Sequence, residues 1–229
     1  KNWRENWAEE LPFYYVQLSS IDRPSWPWFR DSQRRMLQSI PNSGMAVSSD
    51  HGDSLDVHPR HKREIGERLA YWALNKTYGH EVLPSGPLSR PVTFKDNAAY
   101  VTFDYGKGMH SSDGDKLRTF VIAEHDGLFV PGEAQIIDGK SIKVWSSQIR
   151  NPKFVRYGWQ PFTRANLVNE AGLPASTFRS EAAPVSWFRL PDLPGTEKSP
   201  SLGVSAPFTG VSGGQLFGVG ECNFPSKPA

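Results

Sequence analysis

Hydrophobic and polar positions along the chain separate three regions, and each predicts a different structural part. Residues 1–80 alternate strand-like and helix-like patterns. Residues 81–183 contain short runs rich in Val, Ile, Phe and Tyr between turn residues, which predicts a β-sandwich. Residues 184–229 are rich in Pro, Gly and Ser and predict a tail with one strand near 216–219. The expected fold class is therefore α/β followed by a β-sandwich.

The first region predicts the order strand, helix, strand, loop, helix. The run LPFYYVQL at 11–18 is almost continuously apolar, as in a parallel strand that is covered on both faces. Such an order is a fragment of a flavodoxin-like, doubly wound sheet, where sites lie beyond the carboxyl ends of the strands. The remaining elements are a helix at 29–40, a strand at 45–48, a polar loop at 49–58, and a helix that opens at Pro59 and is closed by Gly79 at its C′ position.

The second region predicts strands and tight turns. Asp138-Gly139 stands between two strand-like runs and predicts a type I′ hairpin turn. The predicted strands are 98–104, 119–124, 133–137, 141–146 and 154–159.

Composition excludes several classes of protein. The formal net charge of the 229 residues is +2 and no basic cluster is present, so nucleic acid is not an expected partner. No run of 18 apolar residues predicts a membrane span. The single cysteine, Cys222, cannot form an intrachain disulfide. The first four residues, Lys1 to Arg4, resemble the middle of a domain, so we expect the natural protein to extend upstream.

The loop at 49–58 carries the candidate chemistry. With Pro59 at the first helical position, His58 is predicted to be the N-cap residue, where the helix dipole disfavours imidazolium and keeps a general base neutral. A carboxylate would fix the tautomer of the ring, and both Asp53 and Asp56 are close enough in sequence to do so. The alternative interpretation is a solvated turn whose aspartates cap backbone amides.

Two other interpretations of sequence patterns are weaker. His51, His58 and His61 stand near aspartates, but neither H-E-x-x-H nor paired cysteines occur, so no metal or other cofactor is expected. Gly210 to Gly214 formally match G-x-S-x-G. Ser212 is nevertheless rejected as a nucleophile, because the motif precedes a predicted strand and no helix follows.

Residues 12–79 resemble the C-terminal end of the catalytic domain of sialate O-acetylesterases, which are hydrolases of the SGNH type. The family block D-x-G-D…D-x-H-P-x-x-K is matched by Asp50, Gly52, Asp53, Asp56, His58, Pro59 and Lys62. The resemblance implies that His58 is the base of a Ser-His-Asp triad with Asp56 as its partner. It also implies that Gln17, Arg30 and Gln33 line the substrate pocket, although Arg30 and Gln33 also fit the exposed face of a helix.

The resemblance also sets expectations about the whole enzyme. The serine of the family lies in a G-Q-S-N-type block that this chain does not contain, so we expect an N-terminal half of the same enzyme to supply it. The expected substrate is O-acetylated sialic acid or a related acetylated glycan, and the expected location is secreted or periplasmic. Residues 202–229 resemble the first strands of Kelch-type sialic-acid mutarotases, which implies the start of a β-propeller. The alternative is a carbohydrate-binding module or inactive paralogue that stacks sugars on Trp145, Tyr157 or Trp159.

Overall fold

The computed structural model describes residues 2–182, 208–212 and 215–219. Residues 1–182 form one compact unit and residues 183–229 a second. The division of the chain at residues 80 and 183 stays a prediction. Among the described helices, none combines the length and the apolar composition that a bilayer crossing needs.

The first part of the larger unit contains a β-α-β element. After α1 (Asn2–Trp7), strand β1 (Phe13–Val16), helix α2 (Trp26–Ser39) and strand β2 (Ser43–Ala46) follow in order. The two strands pair in parallel, with Phe13 opposite Ser43. The predicted strand-helix-strand order is confirmed. A doubly wound sheet stays a prediction, because β1 and β2 are the two strands of the parallel sheet in the described part of the chain.

Helix α3 (Lys62–Trp72) begins three residues later than predicted, after the N-cap His61. The prediction that it opens at Pro59 with His58 as N-cap is wrong. A side-chain carboxylate accepts a backbone N–H of the loop instead. Asp56 Oδ1 accepts the backbone N–H of His58 at 2.9 Å, and this hydrogen bond competes with helix formation. The helix continues as a π turn over residues 73–77, and Gly79 at φ +70° closes it at C′ as predicted.

The β-rich part forms antiparallel sheets. The strands are β3 (Leu88–Ser89), β4 (Thr93–Lys95), β5 (Ala98–Asp104), β6 (His110–Ser111), β7 (Phe120–Ala123), β8 (Val130–Pro131), β9 (Glu133–Ile136), β10 (Ser141–Trp145), β11 (Phe154–Tyr157), β12 (Leu167–Val168) and β13 (Phe178–Arg179). One sheet has five strands: β3 and β4 both pair with β5, and the order continues β5-β10-β9. Another sheet has four strands, in the order β13-β11-β7-β8, and β6 pairs with β12. The two larger sheets share one apolar core, which includes Val101, Ile122, Ile142 and Val155, none of them exposed. The fold is thus mixed, with several antiparallel sheets and few helices, and the β-sandwich stays a prediction.

The type I′ geometry occurs at a different turn from the one predicted. A type I′ turn needs positive φ at both central residues, and Gly139 has it while Asp138 does not. Asp96 and Asn97, with φ of 50° and 56°, form the two-residue connection between β4 and β5. Aspartate and asparagine tolerate this backbone region better than other residues with a Cβ, so Asp-Asn works here without glycine.

Polar side chains join α2 to the β-rich part. Asp31, 1% exposed, accepts hydrogen bonds from Arg34, Arg35 and Arg179, the last of these on β13. A buried carboxylate needs such compensation, because its transfer out of water is costly unless it is paired. The contact between α2 and the β-rich part therefore includes a buried ion pair between Asp31 and Arg179.

In the second unit, β14 (Phe208–Ser212) and β15 (Gln215–Val219) form an antiparallel hairpin. The predicted strand near 216–219 corresponds to β15. Ser212 ends β14 and the next described element is a strand, so the context of a nucleophile elbow is absent, as predicted. The rest of the segment that resembles a propeller lies outside the described residues.

Candidate functional site

The loops that follow β1 and β2 lie against each other. Both strands are parallel, so both loops start at the same edge of the sheet, where sites occur in open α/β folds. The Asp22 amide donates to the Ser54 carbonyl at 3.1 Å. A Cβ on Gly52 would lie 2.1 Å from the Ser20 carbonyl oxygen, so glycine permits this approach. The loop with the candidate chemistry is therefore held against a second loop.

Asp56 and His58 form a contact pair within this loop. Asp56 Oδ1 lies 3.2 Å from His58 Nδ1 and also accepts the backbone N–H of His58. The hydrogen bond from that backbone N–H is the main cause of a lowered pKa at Asp56, so its carboxyl is ionised at neutral pH. The arrangement can hold Nδ1 as a donor and leave Nε2 to exchange a proton. The His58 side chain is 83% exposed, so Nε2 is accessible to a group that the described residues do not supply.

Asp53 has a different position from Asp56. Its Oδ1 accepts the backbone amides of Leu55 at 2.8 Å and Asp56 at 3.2 Å, which is turn chemistry. Of the two carboxylates that the sequence left open, Asp56 is therefore the one beside the imidazole. The helix dipole of α3 does not act on His58 as predicted, because α3 starts four residues later, at Lys62. The catalytic roles of Asp56 and His58 stay predictions.

The base of the loop is held by an ionic and aromatic cluster. Arg68 on α3 forms a two-pronged pair with Asp50, at 2.7 and 2.6 Å, and donates to the Val47 carbonyl. The rings of His51 and His61 stack with centroids 4.6 Å apart, across the ends of the loop. Sequence reasoning missed Arg68, because an arginine on an amphipathic helix normally faces water and nothing in its local pattern indicates a carboxylate 18 positions earlier.

Gln17 and Gln33 lie beside β1. Gln17 is fully buried, and its Nε2 donates to the Arg30 carbonyl and to Ser176 Oγ, both at 2.8 Å. The Gln33 side chain accepts the Leu18 N–H at 2.8 Å and donates to the Val16 carbonyl at 3.3 Å. Both amides hold backbone at the carboxyl end of β1, and their contact with substrate stays a prediction.

Arg30 is fully buried, so the interpretation as an exposed helix face is wrong for this residue. Its guanidinium donates to the carbonyls of Gly158, Gln160 and Pro161 at 3.0, 2.6 and 2.9 Å. Burial lowers the pKa of Arg30 to about 10, so it is charged at neutral pH. The Arg30 side chain thus binds the β-rich part. Its contact with substrate stays a prediction.

The aromatic residues considered for sugar stacking differ in availability. Tyr157 is 1% exposed and its hydroxyl accepts the Leu167 N–H, so it belongs to the core and cannot stack on a sugar. Trp159 packs edge-on against Trp28 at 5.1 Å. The Lys143 ammonium lies 5.5 Å from the ring of Trp145.

Within the described residues, no three His, Cys, Asp or Glu side chains converge as a metal site would need. His51, His58 and His61 thus form no such group with the nearby aspartates.

The chain is similar to a known protein of solved structure. No protein-family model matches the chain, and no curated protein matches it by sequence. The crystal structure of a novel carbohydrate acetylesterase from Xanthomonas citri is similar, with a TM-score of 0.74 and 35% sequence identity. The match covers 80% of this chain and 44% of that protein, so the chain spans less than half of its length. This similarity supports the expected relationship to carbohydrate esterases.

Proposed function

We propose that this chain is the base-bearing part of a carbohydrate esterase that removes O-acetyl groups from sialic acid or a related glycan. The observation that carries the proposal is the contact between Asp56 Oδ1 and His58 Nδ1, 3.2 Å, in a loop at the carboxyl edge of the parallel strands. The similarity to a carbohydrate acetylesterase supports the same chemistry. The nucleophilic serine belongs to a segment outside this sequence.

In the proposed reaction, the serine hydroxyl attacks the acetyl carbonyl while His58 Nε2 takes its proton. The tetrahedral intermediate collapses, the bond to the sugar oxygen breaks, and His58 returns the proton to that oxygen. Water then attacks the acetyl-serine with His58 again as base, releasing acetate and free serine. Asp56 stabilises the imidazolium that forms in each step and keeps Nδ1 turned towards itself.

The proposal also covers the fold type of the two parts, the location of the protein and the segment after residue 183. The catalytic domain is of the SGNH type, with β1 and β2 as part of a doubly wound sheet, and the β-rich part is a sandwich. The protein is secreted or periplasmic, and the segment after residue 183 starts a propeller like that of the Kelch-type mutarotases. These assignments rest on the sequence resemblance to sialate O-acetylesterases.

The test uses the chain combined with the N-terminal half that carries the serine. Acetate release from O-acetylated sialic acid and from acetylated xylan is measured for the native protein, His58→Ala and His80→Ala. His80 is an exposed histidine after α3 and serves as the matched control. We expect His58→Ala to lose at least about a thousandfold in kcat and His80→Ala to retain full activity. Full activity in His58→Ala would show that the assignment of the base is wrong, and preference for xylan would overturn the sialate assignment.

A further inference from the structure

We infer that Ser20 is a positioning residue through which segment 158–163 of the β-rich part holds the loop of Asp56 and His58. The importance of that loop rests on the proposed function, whereas the contacts themselves do not. The inference makes the β-rich part a structural component of the esterase site. An appended binding module would not have this role.

The first contact fixes segment 158–163 to α2. Three of its carbonyls, those of Gly158, Gln160 and Pro161, accept hydrogen bonds from the buried guanidinium of Arg30. The Gly158 carbonyl also accepts from Thr177 Oγ1 at 3.2 Å. Charge-assisted bonds to one rigid, planar donor group leave the segment little freedom to move.

The second contact joins this segment to the loop after β1. The backbone N–H of Thr163 donates to Ser20 Oγ at 2.7 Å, and the Ser20 hydroxyl faces the Thr163 carbonyl at 3.5 Å. Ser20 is fully buried and Thr163 is 6% exposed. A buried backbone amide needs a partner, so the Ser20 hydroxyl fixes the distance between the two segments.

The third contact passes from Ser20 to the candidate site. Gly52 lies so close to Ser20 that an added Cβ would overlap its carbonyl oxygen, its Cβ and its backbone nitrogen, at 2.1 to 2.5 Å. Two residues further along, the Ser54 carbonyl accepts the Asp22 amide. Asp56 follows after one turn, which Asp53 caps. Among the described residues, no hydrogen bond joins the Ser20 side chain to Asp56 or His58, so Ser20 acts on them through the position of the loop.

The experiment compares Ser20→Ala with Ser180→Ala in the whole 229-residue chain. Ser180 is the matched control, because its hydroxyl also accepts a backbone N–H, that of Val155 at 2.9 Å, but between strands of the β-rich part. Hydrogen exchange of the Asp22 amide reports docking of the loop, and the ¹⁵N shifts of the His58 ring report its tautomer. Neither readout requires the nucleophilic serine of the N-terminal half.

We expect Ser20→Ala to accelerate exchange at Asp22 by roughly tenfold and to mix the His58 tautomers, because an unpaired buried amide loosens both loops. Ser180→Ala should leave both readouts native. Native values in Ser20→Ala, or the same acceleration at every amide of the chain, would overturn the inference. If Ser20→Ala does not fold, Gly52→Ala decides. It leaves the Ser20 hydroxyl in the chain but does not allow the loop its native approach to Ser20, and it should change the same two readouts. Native readouts in Gly52→Ala would also overturn the inference.

Activity separates this inference from the proposed function. In the combined enzyme, we expect Ser20→Ala to lower kcat roughly tenfold with little change in KM, since orientation of the base is what fails. Full activity in His58→Ala would refute the proposed function and leave the exchange result standing. Native exchange in Ser20→Ala with an inactive His58→Ala would refute only the positioning role.

Discussion

Replacement of Arg30 by methionine tests how the β-rich part is attached. The substitution removes the donor of three carbonyls, of which that of Gly158 keeps Thr177 Oγ1 as a partner. Carbonyls 160 and 161 lose theirs, and a partly buried unpaired carbonyl costs about 1–3 kcal/mol. Methionine fills much of the vacated space and removes the desolvation cost of the charge, so we take the lower half of that range for each carbonyl. The expected loss of unfolding free energy is about 3 kcal/mol, or roughly 6–12 °C in Tm for a unit of this size.

Urea denaturation followed by tryptophan fluorescence, together with calorimetry, measures this loss. Arg63→Met is the matched control: the Arg63 side chain on α3 is 88% exposed and forms a surface ion pair with Glu67, so its replacement should leave the urea midpoint and Tm close to their native values. Arg30→Lys should fall near Arg30→Met, because one ammonium cannot reach three carbonyls in the fork geometry of a guanidinium. Stability of Arg30→Met within about 0.5 kcal/mol of the native chain would refute the reasoning.

Two further predictions concern the loop itself. In the combined enzyme, Asp56→Asn should lower kcat by about a thousandfold or more, whereas Asp53→Asn, which keeps an oxygen for the turn amides, should lose roughly tenfold or less; equal losses would contradict the roles assigned to the two carboxylates. Burial lowers the pKa of His51 below its ordinary 6.5, so the unfolded chain binds the proton more tightly than the folded chain does. The folded state therefore keeps this part of its stability above pH 6.5 and loses it as the pH falls below that value. The urea concentration at the midpoint of unfolding should therefore decrease as the pH is lowered from about 7.5 to about 5. His51→Phe, which preserves ring stacking, should reduce this decrease, and an unchanged decrease would contradict the role of His51.

The strand-helix-strand order could be predicted because each element carries a recognisable apolar pattern over most of its length, although the bounds differ: the predicted strand at 45–48 lies at Ser43–Ala46. The apolar run at 11–18 contains β1, and the helical spacing at 29–40 marks α2, although that helix starts earlier, at Trp26. The start of α3 was missed for a local reason. Pro59 is a favourable first helical residue, yet the carboxylate of Asp56 accepts the backbone N–H of His58, and the helix begins three residues later.

The site was only half visible in the sequence. Asp56 and His58 were found because their spacing is local, and the same spacing could not exclude Asp53. Ser20 and Arg30 acquire their roles from partners more than 120 positions away, and no periodicity encodes such contacts. Gly52 belongs to the family block, but the block does not encode the physical reason for glycine, which is the close approach of Ser20.

The buried charges of α2 have a consequence for biosynthesis. During translation, α2 leaves the ribosome long before β13, so Asp31 is synthesised well before its partner Arg179, and Arg30 well before the carbonyls of segment 158–163. Before docking, the side chains of Arg30 and Asp31 on α2 are charges that water solvates well. Partly folded chains aggregate mainly through exposed apolar surface. The nascent first part can thus remain dispersed until its partner strands arrive. Once docked, Asp31 and Arg179 are buried, so salt should screen the finished ion pair less than it screens a pair on the surface.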